Sequence, residues 1–127
     1  MSKKAGTIYE AIGGQEAVDR IVESLYTHIG QHPLLTPIFP EDLTETKWKQ
    51  RLFLTQFFGG PPLYLQERGH PMLRRRHLPF PITPERGKAW LDCMDIALDE
   101  AEIEEPYRTA IFERITTVAA QMVNKLE

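Results

Sequence analysis

The stretch from Pro61 to Pro81 constrains this chain more than any other. Pro61, Pro62, Pro71, Pro79 and Pro81 fall within it, together with Gly69. Proline has no backbone N–H to give a helix or a sheet, so the segment leaves little room for regular structure. An irregular run of about twenty residues inside a compact domain is uncommon and usually serves function. The chain around it has 127 residues, of which 42% are hydrophobic and 26% charged, which suits one globular domain over 7–127. Residues 1–6 are small and polar with no apolar periodicity, and they read as a flexible tail.

On both sides of this segment the apolar pattern is helical. A short turn of helix through Tyr9 and Ile12 meets Gly13 and Gly14, where the chain is expected to change direction. Ala17, Val18, Ile21, Val22, Leu25, Tyr26 and Ile29 then repeat about every 3.6 residues and predict an amphipathic helix. Gly30 and Pro33 end it, and the stretch to Pro40 has room for a short turn only. Asp42 with Glu45 has the form of a capping box for a helix over about Leu43 to Phe58, which Gly59-Gly60-Pro61-Pro62 stops. Thr83-Pro84 is an N-cap and first-turn pair for a helix carrying Ala89, Trp90, Cys93, Met94, Ala97, Leu98 and Ala101. A last helix from near Pro106 aligns Ile111, Ile115, Val118, Ala119, Met122 and Leu126. No strand-like alternation is present, so the fold class is all-α.

Charge and cysteine usage narrow the function classes. Fifteen Lys and Arg against eighteen Asp and Glu leave a net charge of −3, without the basic surplus of a nucleic-acid-binding module. The lone Cys93 cannot form an internal disulfide, no leader-like segment opens the chain, and no apolar run reaches the roughly 18 to 20 residues of a membrane span. These features set the expectation of a cytoplasmic protein that binds neither nucleic acid nor membrane. Cys93 lies in an apolar stripe and reads as a small buried hydrophobe.

The inward-facing residues carry chemistry. Thr46, Gln50, Phe53 and Phe57 share one helix face that is half polar. Tyr26 and Trp90 each bring a hydrogen-bond donor on a large apolar body into the interior. Taken singly they also fit ordinary core aromatics. Together these faces suggest a pocket for a flat apolar ligand with a small polar end. His28 and His32 share the i, i+4 spacing of a metal pair, but the helix breaks between them and no further ligand is near. His70 and His77 lie in the long segment, where the default is a solvated imidazole. His77 has apolar neighbours in Leu73, Leu78 and Phe80 and positive ones in Arg74, Arg75 and Arg76. An imidazole for iron beside arginines for two carboxylates would suit a haem.

The order of Gly13-Gly14, Tyr26, a proline-rich turn ending in Phe39, the helix with Gln50 and Phe53, Gly59-Gly60-Pro61-Pro62, Gly69-His70-Pro71 with Arg76-His77, and Trp90 resembles a group II truncated haemoglobin, from Thr7 to Asn124. The resemblance implies a truncated globin fold, a two-over-two helical sandwich around a haem. It makes His77 the proximal ligand of the iron of haem b. Tyr26, Gln50 and Trp90 become distal donors to a diatomic ligand. Thr46 and Phe53 would line the distal pocket, Phe39 would pack on the haem face, and Lys49, Tyr64 and Arg76 would meet the propionates. Some relatives have tyrosine at the position of Phe39, so a network built on two distal tyrosines is not expected.

The implied function is reversible binding of O2, with CO or NO as further ligands, for transport or supply, by a monomer or homodimer. The alternative is a haem redox enzyme, a nitric-oxide dioxygenase or weak peroxidase, drawing electrons from an external reductase because the chain has no flavin or nicotinamide domain. The expected distal helix carries no histidine, which weakens the peroxidase version. A third reading is a helical interaction module without cofactor, its aromatics being core alone.

Overall fold

The structure, a computed structural model, describes residues 6–69, 72, 75 and 77–125. The expected tail over 1–5, Arg76 and Leu126 lie outside them. Gly6, grouped with that tail in the sequence, donates its N–H to the Glu10 carboxylate at 2.8 Å. The described elements are α1 (Ile8–Ile12), α2 (Gln15–Ile29), a 3-10 turn (Thr36–Ile38), α3 (Thr44–Phe57), α4 (Leu63–Arg68), α5 (Pro84–Glu100) and α6 (Tyr107–Met122). No strand occurs among the described residues. None of the described helices is long and apolar enough to cross a membrane.

The predicted stripe of α2 is its buried face: Ala17, Val18, Ile21, Val22, Leu25, Tyr26 and Ile29 are all inside. Each large aliphatic side chain removed from water in this way contributes about 1.5–3 kcal/mol. Helix α2 packs on α3 and crosses α5, and α5 packs on α6, which gives two helical pairs laid one over the other. Leu54, Met94, Leu98, Ile111 and Ile115 fill the space between them. Arg108, near the start of α6, fastens that helix to α5 through Asp95 at 2.6 Å and Asp99 at 2.7 Å.

Helix starts follow the sequence in one case and depart from it in another. Thr83 caps α5 as expected, its hydroxyl accepting the Arg86 N–H at 3.2 Å with Pro84 in the first turn. At α3 the cap position belongs to Leu43, not Asp42, so the expected capping box is not formed. The Asp42 carboxylate instead accepts the Thr44 N–H, two residues on, at 3.0 Å. Asp readily makes such a local turn, which here sets the entry to the helix without being part of it. That bond holds the Asp42 carboxyl below its usual range.

The long segment is less irregular than its prolines suggest. Pro61 and Pro62 end α3 and then precede α4, since proline is tolerated at a helix start. The side chain of Gln56 accepts the Leu65 N–H at 2.8 Å, satisfying one of the orphan donors of α4. Arg75 and His77 are also helical. The corner before α4 requires glycine twice over. Gly59 has φ +94°, and a Cβ on Gly60 would stand 2.7 Å from Tyr9 Cγ and 2.9 Å from the Thr55 carbonyl. Helix α1 closes on this corner, with the Tyr9 N–H donating to the Phe58 carbonyl at 2.8 Å.

Candidate functional site

A cavity of about 450 Å³ opens between the two helical pairs. Its size falls in the range of small-molecule and cofactor sites, roughly 300–1,000 Å³. Tyr26, Phe39, Thr46, Lys49, Gln50, Phe53, Tyr64, His77 and Trp90 all line it, so every described residue that the sequence singled out for the site meets there. Arg76 is outside the described residues. The remaining wall is mostly apolar, with Leu35, Ile38, Ile82, Ile115, Val118 and Met122.

Several of the lining residues are polar-tipped. Tyr26 stands at the end of the α2 stripe and is 3% exposed. Its hydroxyl donates to Gln50 Oε1 at 3.5 Å, long for such a bond and therefore weak. Burial pushes the phenol well above its ordinary value, so the hydroxyl stays protonated and able to donate. The Phe39 ring meets Tyr26 edge-on at 6.0 Å and fixes its plane. Thr46 and Gln50 come from α3 and Trp90 from α5. Phe53 meets the Tyr64 ring edge-on at 6.1 Å and stacks on Phe57 at 5.3 Å, which leaves Phe57 behind the lining, not in it.

The lining also includes His77, the one histidine among the described lining residues. Its backbone carbonyl accepts the Phe80 N–H at 2.9 Å and the Asn124 amide at 3.2 Å. Cationic groups border the cavity at Lys49, Arg68 and Arg86. Lys49 is half-exposed and 3.8 Å from Glu45. Arg68 lies 5.9 Å over the Tyr64 ring. Arg86 is held by the carbonyls of Leu34 at 2.9 Å and Pro81 at 2.7 Å. The sequence reading did not single out Arg68 or Arg86. The signal for Arg68 was a helix hidden among prolines, and that for Arg86 was its place one turn into α5.

His28 and His32 fall elsewhere, and His70 lies outside the described residues. His28 bonds Glu100 at 3.0 Å on the outer face where α2 meets α5, and the His32 ring accepts the Leu34 N–H at 3.2 Å. Cys93 is buried, and burial raises its thiol.

The donor set of the cavity fits a haem. Among the described residues it combines one imidazole, an apolar slot, cations at its border and the neutral donors of Tyr26, Gln50 and Trp90. The model of the bacterial-like globin family matches residues 7–124. The group 2 truncated hemoglobin YjbI of Bacillus subtilis is 53% identical over 127 residues, which is 100% of this chain and 96% of the relative. A crystal structure of the group II truncated haemoglobin from Bacillus anthracis superposes with a TM-score of 0.95 at 50% identity, covering 98% of this chain and 96% of that one. That of a truncated oxygen-avid haemoglobin from Bacillus subtilis superposes with a TM-score of 0.90 at 55% identity, covering 94% and 100%.

Proposed function

We propose, since the chain belongs to the bacterial-like globin family and within it to the group II truncated haemoglobins, that it holds haem b through His77 and binds O2 reversibly. CO and NO are further ligands of the same site, and the role is oxygen binding and supply. The observation that carries this reading is the meeting of His77, Tyr26, Gln50 and Trp90, from four separate segments, around one largely apolar cavity. The similarity to an oxygen-avid relative supports it further.

Haem, when bound, supplies an iron with a free coordination position for a diatomic molecule. The chain supplies the rest. His77 offers a neutral imidazole nitrogen, and Lys49, Arg68 and Arg86 offer cations to the two carboxylates, joined by the Tyr64 hydroxyl and by Arg76. Leu35, Ile38, Phe53 and Ile115 exclude water, which strengthens every remaining polar contact. Tyr26 and Trp90 would donate hydrogen bonds to the diatomic ligand, the single Tyr26 O–H giving up its long, weak bond to Gln50 Oε1 to do so.

The test is the visible absorption spectrum of the purified protein in the ferric form, after reduction with dithionite, and then under O2 or CO, beside His77→Ala. A Soret band that shifts on reduction and again with gas, and is lost or altered in the variant, is the expected result. No haem uptake by the wild type, even with haem supplied, would overturn the reading.

A further inference from the structure

We infer that Asn124 is the positioning residue for His77, its side-chain amide fixing the backbone from which the imidazole enters the cavity. The inference rests on the haem-binding reading above. The segment from His77 to Ile82 cannot tie itself down, because Pro79 and Pro81 have no N–H. Only Leu78, Phe80 and Ile82 can donate after His77. Leu78 bonds the Arg75 carbonyl at 3.3 Å and Phe80 bonds that of His77 at 2.9 Å, both local. The Ile82 N–H and the carbonyls of His77 and Phe80 turn instead to one residue beyond α6.

That residue uses its whole amide. Asn124 Nδ2 donates to the His77 carbonyl at 3.2 Å and to the Phe80 carbonyl at 2.9 Å, while Oδ1 accepts the Ile82 N–H at 3.0 Å. The backbone N–H groups of Asn124 and Lys125 both donate to the Ile82 carbonyl, at 2.9 and 3.2 Å. The route to this place is built into the helices. Val123 leaves α6 in an extended conformation, and it crosses α5 at Gly87, where a Cβ would already be 3.3 Å from Val123 Cγ2. Both ends of the segment are thus held by one side chain with two donors and one acceptor. No other residue type offers that set at this length. An imidazole hangs from its backbone by two rotatable bonds, so a backbone displacement alters its tilt toward a metal.

The test is the iron–histidine stretching band in the resonance Raman spectrum of the ferrous, gas-free holoprotein, with the rate of haem loss to an excess of apomyoglobin. Asn124→Asp keeps the shape and the acceptor but sets a carboxylate against two carbonyls. Asn124→Ala removes all three bonds, and serves alone should the aspartate variant not fold. Arg108→Ala, which loosens α6 from α5 far from His77, controls for general destabilisation. Expected are a shifted and broadened band and faster haem loss in the Asn124 variants, with the Arg108→Ala band in its wild-type place. An unchanged band in the Asn124 variants, or an equal shift in Arg108→Ala, would overturn the inference while the haem-binding reading stands. A wild type that takes up no haem would overturn that reading, and this inference with it.

Discussion

The Tyr26 hydroxyl is buried so fully that ionisation is suppressed, which leaves it a neutral donor across the whole working pH range. A hydrogen bond to an acceptor bearing charge contributes about 1.5–3 kcal/mol, and each 1.4 kcal/mol is tenfold in an equilibrium. Tyr26→Phe and Trp90→Phe are therefore each expected to raise the oxygen dissociation rate by roughly ten- to a hundredfold, read by stopped-flow displacement of O2 with CO. Unchanged rates in both would remove these residues from the mechanism. Acid stability draws on a different residue. Glu100 accepts hydrogen bonds from Ser24 and from His28, and these, the Ser24 bond first, hold its carboxyl below the usual range. A carboxyl lowered by folding stabilises the native state above its unfolded pKa, and that contribution is lost as pH falls through the folded value. Urea midpoints of wild type and Glu100→Gln should differ at pH 6 and converge toward pH 3. A constant difference across that range would sink the idea.

Among the helices, the corner between α3 and α4 tolerates least. Gly60→Ala drives a methyl against the Tyr9 ring and the Thr55 carbonyl, and backbone cannot yield as a flexible side chain would. Overpacking of this kind costs about 1–3 kcal/mol, to be measured as a lowered denaturant midpoint. Thr83→Ala removes the α5 cap and is expected to cost about 1 kcal/mol by the same measurement. These elements were legible to different depths. The α2 stripe and the Thr83-Pro84 start could be read because each is encoded within a few residues of itself. Helix α4 could not, because proline signals a stop and a start alike, and what decides for a helix is Tyr64 packing on Phe53 from the preceding helix. The Asp42–Glu45 spacing signalled a capping box correctly in composition but not in register, since the carboxylate reached the nearer N–H of Thr44.

Taken as a whole, the molecule surrounds a cavity that its own side chains do not fill, so a bound cofactor belongs to its stability. A ligand present at a hundredfold its dissociation constant adds ~2.7 kcal/mol, which for a chain of this size is a rise of about 10 °C in melting temperature. Calorimetry of the haem-loaded and haem-free protein should show at least that difference, and equal melting temperatures would argue against a haem held in this cavity. Nine of the lining residues, from Tyr26 to Trp90, could be found from the family resemblance carried by the order and spacing of motifs along the chain. Arg68, Arg86 and Asn124 could not, because their significance lies in partners brought near only by folding, as with Asn124 and His77, 47 positions apart. The same separation bears on synthesis. Ile82 is made 42 residues before the Asn124 side chain that receives its N–H, an interval of a few seconds at roughly 5–20 residues per second. Until those residues are added the His77 segment lacks its Asn124 clasp, so this wall of the cavity is completed only after the helices around it have been made.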